Sequence, residues 1–264
     1  VEPHFMAGYS GGRKVIAPGI AHADTITTLH NSRFMSHHKT ENCVLEGNKL
    51  HGELLEVVGM IGHIYAVNTV IDEARNLSFV NFGEIIQSHL EAVAWTRRYS
   101  EVVIPERFST VVTSGAGYPL DKTYYQTVKG MVGSLGVLDA GGTLIIASEC
   151  SEGIGSQSFV ESQKNLIEMG KEKFLHSIRI KQHADIDEWQ TQMQLKSTMH
   201  ADVQLYATGL CREEKELTGV RAIDSVELAI AESVKKHSDT RIAIVPEGPY
   251  VIPFYRPTDS GNLN

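Results

Sequence analysis

The sequence predicts an α/β fold built from parallel βαβ units. Short apolar stretches rich in β-branched residues alternate with segments whose apolar residues recur at helical spacing. The chain has 264 residues, 42% hydrophobic and 21% charged, a globular balance that suits one large domain or two small ones. No apolar run approaches the roughly 18 residues needed to span a bilayer, and no signal-peptide pattern opens the sequence.

The elements follow in order. Asp24 is placed to cap a helix running from Thr25 to Met35, with Ile26, His30 and Phe34 on one face. Leu50, Leu54, Val57, Val58 and Ile61 recur at helical spacing and predict a helix over 49–61. A strand follows at Ile64–Val70, and residues 84–98 read as helix. Strands are predicted at 110–113, 143–146, 203–206 and 242–245, with helices near 158–168 and 225–236 between them. The stretch from Ser100 to Phe108, with Pro105, interrupts the pattern and marks a boundary. In open α/β sheets ligands bind at the carboxyl ends of strands, so the loops after strands are the places to search.

Net charge is −8. So acidic a chain lacks the basic face of a general nucleic-acid binder, although a local basic pocket for a small anion is compatible with it. Cys43, Cys150 and Cys211 are isolated and form no CxxC pair, which argues against a disulfide framework or structural zinc and suits a reducing cytoplasm. The abrupt start at Val1-Glu2-Pro3-His4 reads as a boundary rather than a natural N-terminus.

Three stretches carry chemistry. In His4-Phe5-Met6-Ala7-Gly8-Tyr9-Ser10-Gly11-Gly12-Arg13-Lys14, glycines precede two cations. Such a loop brings backbone N–H groups close to an anion, and a flexible turn with a solvated basic end accounts for it as well. The GxxxxGK[ST] spacing of a P-loop is absent. His30 is either a core histidine with a satisfied hydrogen bond or a metal ligand held by packing. His22, His37 and His38 lie near it but fit no zinc spacing. The third stretch is Gly115-Ala116-Gly117-Tyr118-Pro119-Leu120-Asp121, after a predicted strand, with Asp121 placed to cap the next helix. Tyr124, Val128, Met131 and Leu135 form that helix's apolar stripe, and Tyr125, Gln126 and Lys129 fall on another face. A phenol, an amide and an ammonium near a helix N-terminus make a carboxylate receptor; a polar solvent face is the plain alternative.

Taken together, HFMAGYSGGRKVIAPGI, LEGNKLHGELLEVV, SGAGYPLDKTYYQTVKGM and DEWQTQ resemble the nickel-dependent lactate racemase family over nearly the whole chain. His4 and Lys14 are ten apart, and Lys14 and His30 sixteen apart, in keeping with the family pattern. The resemblance implies two Rossmann-like parallel-sheet domains, the first incomplete in this chain. Residues 1–100 would be the C-terminal part of a cofactor and catalytic domain, and 101–236 a C-terminal α/β domain. Residues 237–264 would form a final strand and tail, with a return to the first domain allowed.

It also implies a nickel pincer nucleotide, a thiolated pyridinium mononucleotide carrying nickel. Lys14 corresponds to the lysine that tethers it in some members, and His30 to the protein ligand to nickel. Trp189 lies near the cofactor, with Gly11, Gly12 and Arg13 in the same loop in a supporting role. His4 corresponds to one of two acid/base histidines, and Tyr125, Gln126 and Lys129 to residues that hold the substrate, Lys129 facing its carboxylate. The implied reaction is racemisation or epimerisation of a small 2-hydroxy acid, lactate or a relative, with hydride leaving Cα while a base takes the hydroxyl proton. The second acid/base histidine lies upstream of His4 in the family, so the 264-residue chain by itself is expected to be inactive or nearly so. Expected partners are the 2-hydroxy acid and cofactor-making enzymes, with neither nucleic acid nor membrane. A non-catalytic module binding a nucleotide or carboxylate is the competing reading.

Overall fold

Strand and helix alternate along the chain in the computed structural model, which describes residues 1–257; the end of the expected tail, 258–264, lies outside the described residues. The first elements are β1 (Pro3–His4), β2 (Gly8–Tyr9), α1 (Ala23–Leu29), α2 (Ser32–Met35), α3 (Lys49–Ile61), β3 (Tyr65–Ile71), β4 (Leu77–Glu84) and α4 (Ile85–Ser100). Then come β5 (Glu101–Ile104), β6 (Phe108–Ser114), α5 (Tyr124–Gly133), β7 (Leu138–Ala147), α6 (Gln157–Met169), α7 (Lys171–Arg179) and α8 (Glu188–His200). The last are β8 (Asp202–Tyr206), α9 (Arg212–Leu217), β9 (Arg221–Ile223), α10 (Val226–His237), β10 (Ala243–Val245) and β11 (Ile252–Tyr255).

These residues form two compact units. The first is Val1–Ser100 with Glu168–Gln192; the second is Glu101–Ile167 with the chain from Met193 onward. Two features differ from the expected division. Residues 168–192 belong to the first unit, where Asn31 Nδ2 donates to the Gln182 carbonyl (2.8 Å) and Ala184 N to the Thr27 carbonyl (3.0 Å). The last strands do not return to the first unit, because β10 pairs with β6 and β11 with β5.

The second unit holds a five-stranded parallel sheet in the order β10-β6-β7-β8-β9. Its central strand is apolar enough to be covered on both faces: Thr143 to Ile146 are all buried. Ile145, Ile223 and Ala229 pack with Val112, Tyr206, Val226 and Ile230 on the side of α10. Tyr124, Val128 and Met131 of α5 are fully buried, while Leu135 falls in a short 3₁₀ turn beyond the helix. Winding runs from β6 outward to β9 and then resumes on the other side of β6 with β10. The strand order therefore reverses between β6 and β10, which in such sheets opens a crevice at the carboxyl ends.

In the first unit the extended strands pair antiparallel, β1 with β2 and β3 with β4; the expected parallel sheet is found in the second unit. Strand β4 was not expected. Its inward positions are Phe79, Asn81 and Gly83, and a polar amide with a glycine hides the apolar alternation. Helix α4 packs Ile85, Ser88, His89, Ala92, Val93 and Thr96 inward, and Asn68 Nδ2 donates to Ser88 Oγ (3.0 Å).

The expected 25–35 helix is two helices. His22, not Asp24, caps α1, and the helix stops at His30. Asn31 restarts it: its backbone is extended and its Oδ1 accepts from Arg33 N (3.0 Å) and Phe34 N (3.2 Å). Among the described residues no helix is long and apolar enough to cross a membrane, and Cys43, Cys150 and Cys211 form no disulfide.

Gly130 seats α5 on β6, since a Cβ there would lie 2.5 Å from the Ser114 carbonyl oxygen. Gly130→Ala is expected to destabilise the protein by about 1–3 kcal/mol despite alanine's better helix propensity. Urea unfolding measures this, and an unchanged or raised midpoint would contradict the tight α5–β6 seat.

Candidate functional site

In the first unit His30 sits at the end of α1, 5% exposed. Its Nδ1–H donates to the Ile26 carbonyl at 2.9 Å, which leaves the Nε2 lone pair for a ligand. Burial foremost, then the positive charge of Lys14, brings its pKa down to about 4. The imidazole is therefore neutral at physiological pH, the form that binds metals. Its ring lies 4.9 Å from the buried Trp189 ring, tilted by 47°. Among the described residues no group of three or more His, Cys, Asp or Glu side chains is placed to hold a metal. A metal carried in by an organic ligand and completed by one histidine fits this donor set, since the protein need supply only Nε2.

N–H groups of the glycine loop are engaged within the protein. The N–H groups of Tyr9, Ser10, Gly12 and Lys14 donate to Ala7 O, Glu2 O, Asn68 Oδ1 and Gly11 O. Gly11 (φ 78°) and Gly12 (φ 49°) occupy left-handed conformations, and a Cβ on Gly12 would fall 2.5 Å from His89 Cγ. Their glycine character thus serves a turn and a close approach. Arg13, expected beside the cofactor, points inward and is 1% exposed. It donates to Ala7 O (2.7 Å) and Tyr9 O (2.9 Å), with Nη1 3.0 Å from His89 Nε2. Lys14, in a 3₁₀ turn over Gly12–Val15, stays partly exposed. His4 ends β1, where its Nδ1 accepts from Ala7 N (3.2 Å) and more distantly from Met6 N (3.4 Å), placing the proton on Nε2.

Two further histidines were not singled out from sequence. His51 and His89 are buried, with pKa values lowered to about 4 and about 3 by burial and then by the Arg13 charge. His89 lies among the inward residues of α4, so its place on an apolar helical face was the available signal. The His37 and His38 rings lie 4.5 Å apart, tilted by 36°.

In the second unit the loop after β6 begins with Gly115, whose N–H donates to Ala147 O (2.8 Å), and runs through left-handed Ala116 and Gly117. Asp121 does not cap α5; that position is Thr123. Asp121 instead ties two loops together: its Oδ2 accepts from Glu149 N (3.1 Å) and its carbonyl from Cys150 N (2.8 Å). Nor is the first turn of α5 open to an anion. Tyr124 N and Tyr125 N donate to Gly153 O (3.0 Å) and Ile154 O (2.9 Å), and Gln126 N to Thr123 O (3.1 Å). A charge for an anion on this face would have to come from a side chain such as Lys129 rather than from the helix end. Tyr125, Gln126 and Lys129 are all half-buried on α5, and the Tyr125 ring stands edge-on to Phe159 at 5.1 Å. Gln126 Oε1 is buried without a hydrogen-bond partner, an acceptor suited to a ligand hydroxyl.

The fold and these two residue sets define an α/β protein with a buried neutral histidine in one unit and a tyrosine–glutamine–lysine face in the other. Residues 104–253 match the lactate racemase C-terminal domain, and residues 1–42 match the lactate racemase N-terminal domain. The first match covers more than half of the chain, and the chain belongs to the lactate racemase family. It is 31% identical over 264 residues to lactate racemase of Thermoanaerobacterium thermosaccharolyticum, covering 96% of this chain and 59% of that protein. It is 29% identical over 204 residues to lactate racemase of Lactiplantibacillus plantarum, covering 77% of this chain and 48% of that one. The structure of the Thermoanaerobacterium thermosaccharolyticum lactate racemase apoprotein superposes with a TM-score of 0.89 at 27% identity, over 96% of this chain and 60% of that chain. A Thermotoga maritima protein at 16% identity (TM-score 0.67, over 97% of this chain and 65% of that one) shares the fold. The chain thus spans about half to three-fifths of the length of the curated relatives it matches.

The buried histidines set an acid limit on stability. His30, His51 and His89 titrate at about 4, about 4 and about 3 when folded, below their ordinary 6.5. The unfolded chain therefore binds more protons below about pH 6.5, and stability present above that pH is lost as pH falls toward 3–4. Urea midpoints should decline from pH 7 to pH 4.5, and His89→Gln should flatten the decline; an acid slope unaltered in that variant would remove His89 from the account.

Proposed function

We propose that the protein acts in racemisation or epimerisation of a small 2-hydroxy acid, lactate or a close relative, with a nickel pincer nucleotide as cofactor. The observation that carries this reading is His30: buried, neutral, oriented by the Ile26 carbonyl, with Nε2 left to bind. Membership of the lactate racemase family supports it. When bound, the cofactor would supply the hydride acceptor that a weakly acidic Cα–H requires.

The chain's own residues have the remaining tasks. His30 Nε2 would complete the metal's coordination, and Trp189 would pack beside it. Lys14, whose charge is felt at His30, is positioned to meet or tether the nucleotide. His4 would move the hydroxyl proton through Nε2. In the second unit Lys129 would pair with the substrate carboxylate, with Tyr125 and Gln126 orienting the molecule so that only the carbinol centre changes.

The test is production together with cofactor-making enzymes, followed by nickel analysis, intact mass and a chiral assay across several 2-hydroxy acids. Nickel that is lost in His30→Ala, with a mass increment lost in Lys14→Ala, is expected. Lys129→Ala should lower kcat/KM for lactate by roughly 100-fold or more, as for loss of a buried charge partner. A protein that binds a nucleotide or carboxylate yet exchanges no hydrogen at Cα would overturn the enzyme reading in favour of a binding module.

A further inference from the structure

We infer that Arg13 is a positioning residue for His4: it fixes the backbone of Ala7 at its carbonyl, and the Ala7 N–H fixes the tautomer and orientation of the His4 imidazole. The inference rests on the reading of His4 as the proton carrier. Ala7 is fully buried and has no side chain with which to anchor itself. Its carbonyl accepts from Arg13 Nη2 at 2.7 Å and from Tyr9 N at 3.0 Å, while its N–H donates to His4 Nδ1 at 3.2 Å. One fully buried residue thus links guanidinium and imidazole, through its C=O in the Ala7–Gly8 peptide and its N–H in the Met6–Ala7 peptide. The second arm of the guanidinium, Nη1, donates to Tyr9 O at 2.9 Å. Tyr9 lies on β2, which pairs with β1 in the register His4↔Gly8. The planar fork therefore closes the turn between the two strands at two carbonyls, a geometry that a lysine ammonium does not reproduce.

The surroundings of Arg13 fit this role. Its hydrogen-bonding partners are backbone carbonyls and the His89 ring, and burial lowers its pKa to about 10, so it stays charged. The titratable side chains whose pKa values its charge lowers, His51 and His89, are both neutral at physiological pH. A group so enclosed cannot itself contact a nucleotide. Its influence on chemistry must pass through the loop, and Ala7 is the shortest route to a functional atom.

Long-range proton–nitrogen correlation spectra of the chain labelled with ¹⁵N-histidine read the tautomers directly, without cofactor or turnover. In the wild type at neutral pH, His4 is expected as a single species with bare Nδ1 and protonated Nε2. His30 should show the opposite pattern, because its Nδ1–H is the donor to Ile26. A mixed tautomer at His4 in the wild type would already overturn the proposal. In Arg13→Lys the His4 signals should move toward the averaged positions of a freely exchanging imidazole while His30 keeps its pattern. Unchanged His4 signals in folded Arg13→Lys would sink the idea, as would equal loss of order at His4 and His30, which marks a merely structural role. Failure of the racemisation assay would remove the meaning given to His4 and leave the tautomer result intact, so the two readings fail separately.

Discussion

Burying a guanidinium is costly, and Arg13 offsets part of that cost through Nη1 and Nη2 on backbone carbonyls, where a carboxylate would be the usual partner, while its Nε is buried without a hydrogen bond. The consequence is directional. A carboxylate partner would have tied the charge to one side chain; carbonyl partners tie it to the path of the main chain between β1 and β2. The left-handed glycines follow from the same constraint, since Gly12 must pass against the His89 ring to bring Arg13 inward. Histidines that remain neutral beside the cation are the remaining requirement, and their burial provides it.

The second unit solves a different problem with its sheet. Strand order reverses between β6 and β10, and the loop leaving β6 must turn sharply before α5 can begin. Left-handed Ala116 and Gly117 make the turn, and Asp121 fastens it to the loop after β7. Because Gly153 and Ile154 carbonyls occupy the first N–H groups of α5, the helix is anchored firmly but its end is spent. On the proposed reading, the charge that meets the substrate carboxylate would come from a side chain one turn along, where Lys129 stands four residues beyond Tyr125.

The parts legible in the sequence were those that obey a period. Helix α3, the four strands of the parallel sheet named from sequence and the apolar stripe of α5 all follow from spacing. What escaped was decided by polar side chains acting on the backbone. Asn31 splits one helix into two through its own carbonyl oxygen, and the Ile26, His30, Phe34 spacing gives no warning of it. Asn81 and Gly83 face inward on β4 and erase its alternation. Arg13 reads as a surface cation beside Lys14, and only the fold reveals that neighbouring cations point opposite ways. The segment 168–192 looked like part of the later domain because sequence order says nothing about where a helix pair returns.

The split at Asn31 bears on chemistry as well as on shape. In a continuous helix the Ile26 carbonyl would accept from the His30 backbone N–H alone. At the helix end it takes both that N–H and the imidazole Nδ1–H, each at 2.9 Å. Two donors on one carbonyl hold the ring against rotation and fix its tautomer, while Trp189 limits its tilt. A single neutral ligand so constrained adds no charge to a metal and can only be one part of its coordination. On the proposed reading the remaining donors would arrive with the cofactor itself, which is the feature that separates a metal-bearing organic cofactor from a site built of carboxylates and thiolates.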